Sequence, residues 1–79
     1  MIDIEDDYTA VGEALRVLRR RAGLTQAQAA DLVGVRNTYI SQVERGSKGV
    51  SVRTMLKLLR VYSADLQALA AEVRRGRGD

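Results

Sequence analysis

Apolar side chains recur at intervals of three and four residues along most of this chain, and glycines interrupt the spacing at three points. Such intervals place side chains on one face of an α-helix, whereas a strand requires strict alternation. Gly23, Gly34 and Gly46 each follow such a segment, where a residue of positive φ commonly ends a helix. The chain also has no proline and only three aromatic residues, all tyrosine. The sequence therefore predicts an all-α fold.

Five helices are expected from this spacing and from side chains that favour helix starts. Thr25, Ser51 and Asp65 are N-cap residue types that each precede an apolar segment. The predicted helices cover approximately residues 9–22, 26–33, 36–45, 52–61 and 66–73.

A single domain is expected from the length of 79 residues. Residues 9–73 form the predicted domain, with a partly ordered N-terminal arm at 1–8 and a flexible basic tail at 74–79. Acidic residues crowd the start of the chain, so residues 14–79 carry thirteen Lys or Arg against five Asp or Glu. A body this basic attracts polyanions, nucleic acid first, although a solvated basic face without a partner explains the charge equally well.

Several function classes are disfavoured by what the sequence lacks. The absence of cysteine and histidine excludes disulfides, thiol nucleophiles and ordinary zinc sites, so we expect no enzyme, no catalytic residues, no metal and no cofactor. No apolar stretch reaches the roughly 20 residues that cross a bilayer, and the acidic start is unlike a signal peptide. We expect a soluble cytoplasmic protein without a membrane or small-molecule partner.

Residues 26–45 are the segment that says most about function. They contain two predicted short helices with about three residues between them. Helices that cross steeply need a small residue at the crossing and a permissive backbone at the corner, and Ala30 and Gly34 meet these needs. The expected inner residues are Val33, Val35, Ile40 and Val43. The short polar residues then forced outward are Asn37, Thr38, Ser41 and Gln42.

Four segments between residues 11 and 69 resemble the Cro and phage-repressor helix-turn-helix family, also called XRE-like regulators. The segments are residues 15–19 (LRVLR), 23–26 (GLTQ), 39–46 (YISQVERG) and 56–59 (LKLL). The resemblance implies a five-helix lambda-repressor-like DNA-binding domain in which helices 2 and 3 form the helix-turn-helix. Helix 3, at about residues 36–45, would lie in the major groove of double-stranded DNA.

The resemblance also implies two sets of DNA-contacting residues. The base-reading set is Asn37, Thr38 and Gln42, with Ser41 as a fourth member. Asparagine and glutamine amides suit adenine, which offers one donor and one acceptor in the major groove. The phosphate-binding set is Gln26, Arg36, Tyr39, Arg45, Lys48, Ser51 and Arg53.

Two members of these sets have open roles. Arg36 stands where relatives usually have a Ser or Thr N-cap, so either Asn37 caps the third helix or its first turn is less well fixed. Arg36 could then reach a phosphate or a guanine. Tyr39 could pack under the turn or present its hydroxyl to a phosphate.

Two structural contacts are implied in addition. Arg19 and Glu44 match a family ion pair that joins the first and third helices, so we assign them a structural role. An apolar stripe on the fifth helix lies where relatives commonly dimerise, although it also suits the core of one chain. Its members are Leu66, Leu69, Ala70 and Val73.

These features predict a homodimeric transcription regulator of the repressor type on a pseudo-palindromic operator. The alternative is an antitoxin-type protein that binds a partner toxin and also represses its own operon. A toxin-gripping extension would have to come from residues 1–8 or from the last six residues, 74–79.

Overall fold

A computed structural model describes residues 4–76 of the chain. Within that range it contains five helices and no strand, so the all-α prediction is confirmed. The helices are α1 (Ile4–Arg21), α2 (Gln26–Val33), α3 (Asn37–Glu44), α4 (Val52–Val61) and α5 (Leu66–Gly76).

The first and last helices are longer than predicted. α1 begins at Ile4 and not near Thr9, so most of the expected arm continues the helix. α5 includes Arg74 and Arg75 in its last turn, where cations stabilise the negative end of the helix dipole. The rest of the predicted arm and tail, residues 1–3 and 77–79, lies outside the described residues.

Local hydrogen bonds fix both ends of α2. The Thr25 hydroxyl accepts from the Gln28 N–H at 3.0 Å, and the Gln28 side chain accepts from the Thr25 N–H at 2.9 Å. This reciprocal capping box satisfies two backbone groups at the start of α2. At the other end, Gly34 adopts φ +78° and its N–H donates to the Ala30 carbonyl. α2 therefore stops where the chain must turn into α3.

The core lies between α1, the helix pair α2–α3, and the helices α4 and α5. Leu15, Ile40 and Leu58 are its largest fully buried side chains. Ala29 and Ala30 are also buried, and their small size lets α2 pack closely on its neighbours α3 and α4. The expectation that Ala30 occupies the helix crossing thus agrees with its burial.

Gly12 marks the closest approach between α1 and the end of α3. A Cβ atom added at Gly12 would meet the Val43 carbonyl oxygen well inside van der Waals contact and the Glu44 carbonyl oxygen at 3.0 Å. These obstacles are backbone atoms, so no side chain can rotate away to make room. A glycine at this position therefore lets the backbone of α3 rest directly on α1.

We expect Gly12→Ala to destabilise the fold, although the same change in an exposed helix would stabilise it by about 0.5–1 kcal/mol. The added methyl group must push α3 away from α1, and overpacking of this kind costs about 1–3 kcal/mol or more. Urea unfolding should show a net loss of at least about 1 kcal/mol. Glu13→Ala, at the exposed neighbouring position, is the control. A Gly12→Ala protein as stable as the wild type would contradict the close approach.

Candidate nucleic-acid interface

α3 has one buried face and one face that reaches the surface. Ile40 and Val43 are buried in the core. Asn37 and Thr38 are exposed, and Ser41 and Gln42, one turn later, are half-buried. Residues four apart on a helix lie above one another, so these four polar side chains form one continuous surface. The structure thus brings the predicted base-reading residues together, and whether they read bases stays a prediction.

The first turn of α3 has no side-chain cap. Arg36 occupies the N-cap position with an extended backbone, and its side chain makes no capping hydrogen bond. Asn37 is the first residue of the helix, so the alternative in which Asn37 serves as the cap is wrong. As a result, the exposed Asn37 amide is not committed to capping α3.

The loop between α3 and α4 places a cation beside α3. The Lys48 ammonium lies 5.7 Å from the centre of the Tyr39 ring, within the range of a cation–π contact. Tyr39 is half-buried and packs against the core, which agrees with the packing alternative.

The Ser51 hydroxyl accepts from the Thr54 N–H at 3.1 Å and so caps α4. The side chains of Arg45 and Arg53 are exposed, and their phosphate contacts remain predictions.

A buried ion pair ties α3 to α1. Arg19 Nε donates to Glu44 Oε2 at 2.7 Å, and Arg19 Nη2 donates to Glu44 Oε1 at 3.0 Å. Arg19 Nη1 also donates to the Leu24 carbonyl, just before α2, at 2.7 Å. The hydrogen bond to Glu44 raises the pKa of Arg19 even though burial opposes it. The structure thus contains the ion pair that the family resemblance implies.

Gln26 joins this ion pair, a contact that the sequence did not reveal. Its Nε2 atom donates to Glu44 Oε1 at 3.0 Å. Gln26 is the first residue of α2, and it borders a cleft that Ser41 and Arg45 of α3 also line. The predicted phosphate contact of Gln26 remains a prediction, but its side chain is already held in place.

The predicted dimer stripe on α5 requires a correction. Leu69 is only 7% exposed and belongs to the core, and Val73 is half-buried and packs against it. Leu66 and Ala70, at the outer edge of the same stripe, are exposed. Leu69 and Val73 face inward because α5 packs along α1. Within one chain Leu69 therefore offers almost no open surface, and Val73 offers only part of its side chain.

A buried carboxylate reinforces this orientation of α5. Glu72 is buried and accepts from Arg21 Nη1 of α1 at 2.6 Å and from Arg75 Nη1 at 2.7 Å. This role of Glu72 was not predicted from the sequence. The available signal was its position three residues after Leu69, which places both on one face of the helix.

Tyr62, at the end of α4, is buried near the Arg19–Glu44 pair. Burial raises the pKa of its hydroxyl to about 12 from the ordinary value of 10.0. The Glu44 carboxylate acts in the same direction, and Arg19 opposes it. The site thus favours the neutral phenol.

Comparison with known proteins identifies this architecture. A family described as a helix-turn-helix domain matches residues 10–73, most of the chain. The chain belongs to this helix-turn-helix family. The resemblance to XRE-like regulators is therefore confirmed, and the named relatives in the family are transcriptional regulators, not enzymes.

Two relatives of this helix-turn-helix chain show how much sequence it shares with named regulators. The HTH-type transcriptional regulator PuuR of Escherichia coli is 33% identical over 69 residues, covering 87% of this chain and 37% of PuuR. The competence pilus inhibition repressor of Acinetobacter baylyi is 32% identical over 59 residues, covering 75% of this chain and 54% of the repressor. The chain therefore spans about a third of the length of PuuR and about half of the length of the Acinetobacter repressor.

Two solved structures share the helix-turn-helix fold. The restriction-modification controller protein C.AhdI from Aeromonas hydrophila matches with a TM-score of 0.80 and 35% identity, covering 86% of this chain and 99% of that chain. The clp gene regulator ClgR from C. glutamicum matches with a TM-score of 0.79 and 30% identity, covering 84% and 85%.

Two further features are absent from the part of the chain that the structure describes. No helix within residues 4–76 is long and apolar enough to cross a membrane. Over the same residues, no group of His, Cys, Asp and Glu side chains could hold a metal ion.

The raised pKa of Tyr62 predicts a loss of stability in strong alkali. Below pH 10, Tyr62 is protonated in both the folded and the unfolded chain, so its contribution is constant. Between pH 10 and about 12 the unfolded chain releases this proton while the folded chain keeps it, so the free energy of unfolding falls. The expected loss is about 1–2 kcal/mol.

Tyr62→Phe keeps the ring and removes the titration. Urea unfolding at pH 9 and at pH 11.5 should show the wild type losing more stability than the variant. Parallel pH profiles for the two proteins would show that the Tyr62 pKa is not raised.

Proposed function

We propose that this chain is a homodimeric, sequence-specific DNA-binding regulator of the repressor type. α3 would lie in the major groove of each half of a pseudo-palindromic operator. The observation that carries the proposal is the surface of α3, where Asn37, Thr38, Ser41 and Gln42 stand together opposite a buried apolar face. A rigid helix with short polar side chains on one side suits direct contact with base edges.

Adenine is the base that best suits this surface. A side-chain amide can accept from adenine N6 and donate to adenine N7, and both Asn37 and Gln42 carry one. Because Asn37 is not the cap of α3, its amide is available for such a contact. We therefore expect A·T pairs within each half-site.

Cations around α3 would hold the DNA backbone and set the register. Arg36 at the start of α3, Arg45 at its end and Lys48 in the following loop are all exposed. Arg53, in the first turn of α4, is exposed as well. The Ser51 hydroxyl is engaged in capping, so a phosphate contact at Ser51 would come from backbone N–H groups at the start of α4. These contacts supply affinity without sequence preference.

The relatives support a regulatory role. PuuR and the Acinetobacter protein are named as a transcriptional regulator and a repressor. C.AhdI is named as a controller protein, and this chain covers 99% of it, so a domain of this kind can suffice for a regulator. The antitoxin alternative draws no support from the described contacts, since residues 4–8 continue α1.

A second copy of the chain would dimerise through an apolar patch of α4 and α5. We define the α4–α5 patch as Val52, Leu56 and Leu66, which are 67%, 47% and 54% exposed. Leu56 and Leu66 border one groove between the two helices, and Val52 lies one turn before Leu56. Burying large apolar side chains is favourable, and a two-fold interface uses the same patch on both subunits. The dimer should place the two copies of α3 about 34 Å apart.

Selection of bound sequences from random DNA tests the proposed function. We expect a two-fold symmetric site for the wild type. Gln42→Ala should lose about 1–3 kcal/mol at one or two base positions of each half-site, because it removes a base contact. Lys48→Ala should instead weaken binding to all sequences and lower the salt dependence. Uniform weakening by Gln42→Ala would reassign that residue to the backbone, and the absence of any preferred site would refute the proposal.

Sedimentation at micromolar concentration tests the α4–α5 patch. Leu56→Glu should convert a wild-type dimer into a folded monomer, because it places a charge in the buried centre of the interface. Leu32→Glu is the matched control, since Leu32 is 61% exposed but lies on α2. A wild type that sediments as a monomer, or a Leu56→Glu protein that remains dimeric, would show that the patch is not the interface.

A further inference from the structure

We infer that Arg19 and Glu44 are positioning residues for DNA binding, because they hold the Gln26 amide in the orientation that a DNA phosphate requires. The inference rests on the proposed function, and it adds a task to an ion pair so far assigned to the fold alone. It begins from one contact, the hydrogen bond from Gln26 Nε2 to Glu44 Oε1 at 3.0 Å.

This contact determines which way the Gln26 amide faces. An ionised carboxylate can only accept hydrogen bonds, so the NH₂ group of the amide, and not its oxygen, must face Glu44. The NH₂ group has a second hydrogen, which points elsewhere. A phosphate oxygen also only accepts, so it could use that second hydrogen while the first stays on Glu44. Without this contact the whole Gln26 side chain would have to be ordered when DNA binds, and the rotamer freedom lost by a glutamine lowers affinity by about tenfold or more.

The charge of Arg19 makes this arrangement compatible with an anion. A lone carboxylate behind Gln26 would repel a phosphate at short range. Arg19, however, donates to both oxygens of Glu44, at 2.7 and 3.0 Å, so the pair has no net charge. Glu44 can therefore orient the amide without repelling DNA from the site.

The surroundings of Gln26 suit a phosphate. Gln26 borders a cleft of about 400 Å³ that Ser41 and Arg45 of α3 and Arg16 of α1 also line. Glu13 lines the cleft as well, and the two arginines outweigh its charge. Ser41 belongs to the polar surface of α3, so a phosphate in the cleft would lie beside the proposed base contacts. The Gln26 amide would thereby align α3 in the groove.

The test replaces the whole ion pair by apolar residues. Arg19→Met together with Glu44→Leu removes both charges at once, and such exchanges of a buried pair are often neutral or stabilising. Circular dichroism and urea unfolding establish that the double variant is folded. Fluorescence anisotropy then measures its affinity for the selected operator and for a random duplex. Gln26→Ala is made both alone and in the double variant.

We expect Gln26→Ala to bind both duplexes about tenfold more weakly, because it loses one hydrogen bond to a charged group. The double variant should lose about as much, because the cost of ordering the freed Gln26 side chain offsets that hydrogen bond. Gln26→Ala should then add no further loss in the double variant. As a control, Gln28→Ala, whose side chain contacts Thr25, should have the same effect in both backgrounds. The inference is wrong if the folded double variant binds like the wild type, or if Gln26→Ala weakens it a further tenfold.

Nuclear magnetic resonance of the wild type gives a second test that needs no stable variant. In the free protein the two Nε2 hydrogens of Gln26 should have widely separated shifts, and one should exchange slowly with water. A duplex should shift mainly the other hydrogen. Two solvent-like hydrogens in the free protein would overturn the inference while leaving DNA binding intact. A wild type that binds no DNA would instead refute the proposed function, and this inference with it.

Discussion

The buried ion pair between Arg19 and Glu44 fixes the position of α3, on which the rest of the molecule's proposed activity depends. Arg19 reaches from α1 to Glu44 on α3 and to the Leu24 carbonyl before α2, and Gln26 on α2 bonds the same carboxylate. Removing one partner of such a pair leaves a buried charge and typically costs about 3–5 kcal/mol. Three helices are therefore held together by one set of directional bonds.

Close packing of backbones also helps to hold α3 against α1 and α2. Gly12 lets the end of α3 rest on the backbone of α1, and the small Ala29 and Ala30 let α2 approach its neighbours. α3 thus buries its apolar face completely and leaves its polar face at the surface. A contact surface of this kind is positioned before DNA arrives, so little ordering would be needed on binding. The proposed DNA recognition and the stability of the fold would thus depend on the same helix.

Most of the helices followed from the sequence, because capping and apolar spacing are local signals. Thr25, Ser51 and Asp65 each cap a helix as expected. The start of α1 was missed because residues 4–8 lack the apolar spacing on which the prediction depended. The stripe on α5 was recognised as apolar, but spacing alone cannot say whether another helix covers Leu69. The contact of Gln26 with Glu44 could not be predicted, since it depends on distances between atoms far apart in sequence.

We propose that α3 and its flanking cations form the DNA-binding face of the molecule. The most direct test is to map backbone amide shift changes when a labelled wild-type protein binds its selected duplex. We expect the largest changes in residues 36–42, with further changes at Gln26 and in the loop around Lys48, and small changes in residues 69–75 of α5. Large changes in α5 combined with an undisturbed α3 would contradict this proposal.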